Sequence, residues 1–355
     1  MRLAVIGGGI NGLCCAWKMA QAGHRVSLFE KGQLMQATSS ASSKLLHGGL
    51  RYLETGQIRL IREALKERDN WLARTPHLAH PLPILLPIYR SNRRPRWLLG
   101  LGLAAYDLLA GHTRLPKSVW LSTQEVLEKA PLLKSDGLLG GYLYHDGQMD
   151  DRELGLWVAH QCRETGVDLQ ENRSVEHVST DGEIHFADHQ TEAFDRVINV
   201  AGPWSGQLLS RSNIASVHAL DPVRGSHLVV DRPCHHALLL EVPADNRVFF
   251  MLPWKHKTLI GTTEVRQSLD EPIACSEAEI SYLIDACNHY GSQPLQRHEI
   301  LSTFAGLRPL LHSGDNPSRA SREYAIQTNN KLLTVFGGKW TTAMALAQRV
   351  SNSIH

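Results

Sequence analysis

The first thirty residues, MRLAVIGGGINGLCCAWKMAQAGHRVSLFE, constrain the fold more than any other stretch. An apolar run, Leu3 to Ile6, meets Gly7, Gly8, Gly9 and Gly12; a helix-compatible stretch leads to Gly23; a second apolar run, Val26 to Phe29, closes on Glu30. Strand, glycine turn, helix, strand and acid in this order form the fingerprint of a dinucleotide-binding unit. Gly7 permits the tight turn, Gly9 lets the backbone approach a pyrophosphate, and Gly12 lets the helix pack close to the strands. The helix N-terminus offers N–H groups and partial positive charge to phosphates. Glu30 suits ribose hydroxyls and repels a 2′-phosphate, which argues against NADP. The alternative is a glycine turn that only packs, and the motif does not separate FAD from NAD.

The chain has 355 residues, 43% of them apolar, enough for roughly two or three domain-sized units. A net charge of +2 gives no bulk attraction to nucleic acid. The six cysteines, Cys14, Cys15, Cys162, Cys234, Cys275 and Cys287, follow neither a C-x-x-C nor a zinc pattern, so no metal is expected and a reduced, cytoplasmic setting is. The first strand starts at Met1, so no signal peptide is expected. No run approaches the roughly 20 apolar residues of a spanning helix.

Further along, the small polar run Ala37 to Ser43 leads into Lys44-Leu-Leu-His-Gly-Gly-Leu-Arg-Tyr-Leu-Glu54. That stretch is rich in donors and permissive glycines, and suits either a cofactor-wrapping loop offering Arg51 to an anion or a solvated turn. Residues 57–74 read as an amphipathic helix through Ile58, Ile61, Leu65 and Leu72. Residues 84–106 combine Arg90, Arg93, Arg94 and Arg96 with Trp97 and a leucine-rich run. This is the pattern of a segment lying on a membrane surface, or of a buried helix beside a basic loop. Asp150 or Asp151 is expected to cap a helix reaching about Glu164. A strand meander over 168–178, 183–187 and 193–200 ends in the buried run Val197 to Ala201, with Gly202. Strands of one antiparallel sheet are expected at 223–230, 248–254 and 259–264, and a helix capped by Ser276 from there to Tyr290. Residues 332–342 repeat the strand, Gly-Gly turn and helix theme.

Taken in order, GGGINGLCCA, SSKLLHGGLRYLE, INVAGPWS, RGSHLVV, PWKHKTLIGTTE, AGLRPL, SREY and FGGKWTTA resemble the FAD-dependent glycerol-3-phosphate dehydrogenases among the D-amino-acid-oxidase-like flavoenzymes. The resemblance covers most of the chain and selects FAD over NAD through the C-terminal Gly-Gly-Lys turn. It implies an α/β fold, a Rossmann-like FAD-binding domain interleaved with an α+β antiparallel-sheet substrate domain. Residues 1–78, 149–215 and 301–355 are assigned to the first, and 79–148 and 216–300 to the second. Longer members carry a further helical domain, which implies a short form here.

The same resemblance assigns residues. The FAD is expected along Gly7, Gly9, Ile10, Asn11, Gly12, Glu30 and Lys31, then Ser42, Ser43, Leu46, His47, Gly48 and Gly49, then Val175, Ala201, Gly202 and Trp204, and finally Gly338, Lys339, Trp340 and Thr341. Substrate phosphate is matched to Arg51, Tyr52, Arg322 and Lys339, with Thr262 and Thr263 beside it. His227 is the expected base, of near-neutral pKa, and Arg308 the group that stabilises a developing alkoxide. The implied reaction oxidises sn-glycerol 3-phosphate to dihydroxyacetone phosphate by hydride transfer to the flavin N5, with electrons leaving to a quinone. The enzyme would be peripheral on the cytoplasmic face of the inner membrane, and a homo-oligomer is compatible with the resemblance. The alternatives are an oxidase or dehydrogenase of an amino acid or 2-hydroxy acid, and a flavin-binding protein without turnover.

Overall fold

The computed structural model describes residues 1–54, 56–312 and 324–354. The strand Arg2–Ile6 pairs in parallel with Arg25–Phe29 on one side and with Arg196–Asn199 on the other. Its alternation explains its place at the centre. Leu3 and Val5 enter one hydrophobic core while Ala4 and Ile6 enter another, so the strand is buried on both faces. Burying Leu3 and Val5 fully contributes roughly 1.5–3 kcal/mol each.

Among the described residues this sheet has six strands, ordered Tyr324–Asn329, Leu332–Gly337, Arg196–Asn199, Arg2–Ile6, Arg25–Phe29, Asp168–Gln170, and of these Tyr324–Asn329 alone runs antiparallel. The helices Ile10–Gln21, Asp151–Glu164 and Ala343–Asn352 cover one face through Leu13, Leu154, Val158, Leu346 and Val350. On the other, Phe29 meets Phe186 and Phe194 from the small antiparallel meander Val175–Val178, Glu183–Phe186 and Thr191–Ala193. Of the expected meander, 168–170 and 196–199 therefore join the parallel sheet instead. Asp150 is the helix cap, its side chain accepting from the Glu153 N–H.

The second unit is a large sheet in which Leu220–Val230 lies between Lys257–Gly261 and Ile300–Leu311. The sheet continues through Val248–Trp254, Ala237–Glu241, Ala79–Tyr89 and Leu138–Met149 to Leu45–Leu46. The boundary expected at 301 falls inside Ile300–Leu311, and this strand belongs to the large sheet because it matches Leu220–Val230 almost residue for residue. The helix Glu277–Tyr290 packs on one face; Ile58–Arg74 and Arg96–Ala110 pack on the other.

Residues 84–106 divide between a strand and a half-exposed helix, which neither expected arrangement contains. Their first part belongs to the internal strand Ala79–Tyr89 rather than a surface segment. Pro81, Pro83 and Pro87 share one parity, so their missing N–H groups face a single edge, and the ladder to Leu138–Met149 runs along the other. Arg94 is held by Glu54 and Glu241, and Arg96 lies 3.7 Å over the Trp120 ring. The helix Arg96–Ala110 buries Leu103 and Tyr106 but leaves Trp97, Leu98, Leu101 and Leu108 exposed. Among the described residues no helix is long and apolar enough to cross a membrane.

Candidate active site

A cavity of about 740 Å³ runs between the two units. At one end lies the fingerprint. Gly7 takes a left-handed φ of 114°, and a Cβ there would sit 2.6 Å from the Val200 carbonyl oxygen. Gly12 lies so close to the first strand that a Cβ would approach the Gly7 carbonyl to 1.9 Å. Its role is packing, and it does not line the cavity. The Glu30 carboxylate accepts from the N–H groups of Gly8 at 2.7 Å and Gly32 at 2.9 Å, which fixes it at the end of the second strand. Lys31 rests 3.9 Å over the Trp204 ring, and Val175, Ala201 and Gly202 complete this end.

The middle is built by loops from distant parts of the chain. Ser39 accepts from the Ile10 N–H at 3.0 Å, and Trp340 Nε1 donates to the Ser39 carbonyl at 3.0 Å. The serine run is therefore an ordered wall between the first helix and the Gly337-Gly338 turn, where φ is 84° and 106°. Asp151, entirely buried, accepts from the Ser42 N–H and hydroxyl and from Lys44 Nζ at 2.6 Å. It thereby shapes the loop leading to Ser43 and His47. Thr341 Oγ1 accepts from the His47 N–H at 3.3 Å.

At the far end stands His227, paired across the sheet with Gly261 on one side and Phe304 on the other. A Cβ on Gly261 would lie 2.3 Å from the imidazole Cδ2, so that glycine makes room for the ring, which stacks on Phe304 at 4.8 Å. Nε2 lies 2.8 Å from Ser43 Oγ. Burial, then the positive charges of Arg308 and Lys44, push the imidazole down to about 3. The near-neutral pKa expected from sequence is corrected accordingly: the ring is neutral because it is dry and flanked by cations.

Arg51, Tyr52, Thr262, Arg308 and Lys339 converge beside it on the same cavity. Lys339 Nζ sits 3.8 Å over the Tyr52 ring. Arg308 donates to the Thr263 carbonyl at 2.6 Å and fits because Gly225 has no Cβ, which would lie 2.7 Å from its Nη2.

Of the remaining expected residues, Gly9, Asn11 and Gly49 line the cavity, and Arg322 lies outside the described residues. Three do not face the cavity. Thr263 is buried behind the strand, where its hydroxyl accepts from the Ser226 N–H and donates to Glu279 at 2.6 Å. Burial works against the Glu279 carboxylate, but hydrogen bonds from Thr263, Ser276, Ser226 and Arg224 outweigh it and hold the group down at about 2. Leu46 is core. Gly48 donates to the Tyr106 hydroxyl at 2.8 Å, and its open side faces Leu65. Sequence reasoning assigned no role to Arg247 and Glu264, which also line the site and form a 2.7 Å ion pair. Glu264 stood in plain view after Gly-Thr-Thr; Arg247, just before the strand Val248–Trp254, carries no sequence signal.

The model of the FAD dependent oxidoreductase family, DAO, matches residues 2–352. The chain belongs to this family of FAD-dependent oxidoreductases. D-erythritol 1-phosphate dehydrogenase of Brucella abortus is 38% identical, the match covering 98% of this chain and 72% of that protein. Aerobic glycerol-3-phosphate dehydrogenase of Staphylococcus haemolyticus is 35% identical over 96% of this chain, which spans 64% of that relative. The glycerol-3-phosphate dehydrogenase from Bacillus halodurans complexed with FAD superposes with a TM-score of 0.80, at 27% identity, covering this whole chain and 64% of its own.

The cavity of this FAD-dependent oxidoreductase fits its cofactor. Gly9 forms a cradle that a Cβ would fill, 2.9 Å from Ser39 Oγ, directly at the N-terminus of the first helix, which would hold a pyrophosphate. Glu30 would face the ribose, and Gly338, Trp340, Thr341 and His47 line the same cavity as His227.

Proposed function

We propose that the protein oxidises a secondary hydroxyl of a small polyol phosphate, with sn-glycerol 3-phosphate to dihydroxyacetone phosphate as the reference reaction, and passes the electrons to a quinone. The observation that carries this reading is that Arg51 and Lys339, the latter seated on the Tyr52 ring, share one cavity with Arg308 and His227. A carboxylate substrate needs one guanidinium clamp; a phosphate dianion beside a reacting carbinol calls for several charged donors.

Bound FAD supplies the two-electron acceptor that takes the hydride. The protein's own groups handle the proton and the charge. His227, neutral, receives the hydroxyl proton at Nε2, the atom now facing Ser43. Burial depresses the imidazole most and Arg308 and Lys44 less, so negative charge arriving with substrate works against only the second part. Arg308 stabilises the charge developing on the carbinol oxygen. The two relatives named above for polyol phosphates support the substrate class. The exposed apolar face of the Arg96–Ala110 helix, at the cavity mouth, supports peripheral attachment to a membrane, where a quinone is met.

The test is anaerobic titration of the yellow holoprotein. Glycerol 3-phosphate or erythritol 1-phosphate should bleach the flavin absorbance, and glycerol should do so far more weakly. Bleaching by an amino acid or a 2-hydroxy acid, with no response to either phosphate, would overturn the proposal.

A further inference from the structure

Glu264 stands where an anion-binding site has least use for a carboxylate. One oxygen lies 3.3 Å from Arg308 Nη1 and 3.9 Å from Arg51 Nη2, and the other lies 2.7 Å from Arg247 Nη2. Its side chain is only 6% exposed, and what it does expose faces the cavity. Close guanidinium groups repel one another, and a carboxylate between them draws them together. The arrangement also divides the site. An ionised carboxylate accepts hydrogen bonds and donates none, so it welcomes hydroxyl groups and repels phosphate.

We infer that Glu264 sets the direction in which substrate lies in the site. This rests on the polyol phosphate reading above. A phosphate placed against Arg247 and Arg308 would press on the Glu264 carboxylate. The place left for it is past Arg51, where Tyr52 and Lys339 sit together. The hydroxyl-bearing end then lies towards Glu264, which accepts from a hydroxyl while keeping Arg308 turned to the reacting carbon. Without the charge, phosphate also settles against Arg247 and Arg308, and the carbinol is held away from His227. Glu264 is thus a positioning and specificity residue, one that selects by repulsion as well as attraction.

Calorimetric titration of the FAD-loaded protein with inorganic phosphate reads this directly, independently of turnover. Glu264→Gln, which keeps the shape and removes the charge, should bind phosphate at least about fivefold more tightly than the parent. Its kcat and KM for the polyol phosphate should both fall, the mark of tight but misplaced binding. Glu264→Asp, which keeps the charge, should match the parent in phosphate affinity. Phosphate binding that is unchanged or weaker in Glu264→Gln overturns the inference. So does tighter binding in Glu264→Asp, which decides the matter even if the glutamine variant fails to fold. A parent whose flavin no polyol phosphate reduces defeats the function proposed above, while the phosphate titration still decides the role of Glu264.

Discussion

His227 Nε2 lies 2.8 Å from the hydroxyl of Ser43, which belongs to a loop 184 residues earlier in the chain. The imidazole is thus fixed from two sides, by its own sheet and by the loop that walls the cofactor cavity. The buried ring has no room to turn, since Phe304 stacks on it and Gly261 admits it.

Replacing His227 with Asn should slow reduction of the bound flavin by substrate about 10²–10⁴-fold, measured by anaerobic stopped flow. FAD content should stay at the parent level. Reduction at the parent rate would shift the proton-accepting role elsewhere in the cavity, with His47 the next residue to test.

The same histidine gives stability a pH dependence. Its folded pKa of about 3 lies below the ordinary value near 6.5. Between these values the unfolded chain holds the extra proton, so the contribution of His227 falls as pH drops from about 6.5 towards 3, by at most about 1.4 kcal/mol per pH unit. Asp146 acts in the opposite sense. Burial first, against Arg68 and its hydrogen bonds, raises it to about 6, so it favours the folded state as pH falls through that value. The comparison to make is therefore urea unfolding of the parent against His227→Asn: relative to the variant, the parent should lose stability on acidification. Parallel curves would count against a buried neutral imidazole.

Gly9→Val should yield folded but colourless protein, because the added side chain meets Ser39 where the pyrophosphate belongs. Circular dichroism should match the parent. Stoichiometric FAD in this variant would contradict the placement of the cofactor. Gly12→Val, aimed at the Gly7 carbonyl, should instead damage folding itself.

Asp151→Asn should lower the unfolding free energy by about 3–5 kcal/mol, because it leaves the Lys44 ammonium buried without its counter-charge. Urea titration gives the number. A loss below about 1 kcal/mol would mean that Lys44 finds another partner.

Attachment to bilayers can be tested on the exposed helix face. Trp97→Ser and Leu108→Ser together should cut sedimentation with anionic vesicles roughly tenfold while dye-linked turnover in solution stays at the parent level. Unaltered sedimentation would remove this helix from any membrane contact.

The parallel sheet and its fingerprint were legible because local chemistry alone dictates them: a two-faced apolar strand, glycines at a close approach, and an acid at the next strand's end. His227 and Arg308 were legible as residue types, but their room was not. Gly261 and Gly225 create it from neighbouring strands, and such cross-strand relations leave no periodicity in the sequence. Asp151 was read as one of two possible helix caps, yet its partners, Ser42 and Lys44, lie more than a hundred residues away. Over 84–106, charge beside apolar residues suits a membrane-surface segment or a buried helix next to a basic loop, and neither reading contains the strand Ala79–Tyr89, which long-range pairing with Leu138–Met149 creates.

The place of Leu332–Gly337 beside Arg196–Asn199 has a consequence for synthesis on the ribosome. The fingerprint emerges first, but its sheet closes only when that late strand arrives and the Ala343–Asn352 helix packs on the first helix. Pairings of such long sequence separation form slowly. Until then the apolar surface awaiting those elements is open to aggregation and to chaperones. A nascent chain halted before Leu332 should therefore be unable to retain FAD although every glycine of its fingerprint is already present. Flavin capture thus waits for Leu332–Gly337 and the Ala343–Asn352 helix rather than following the fingerprint directly.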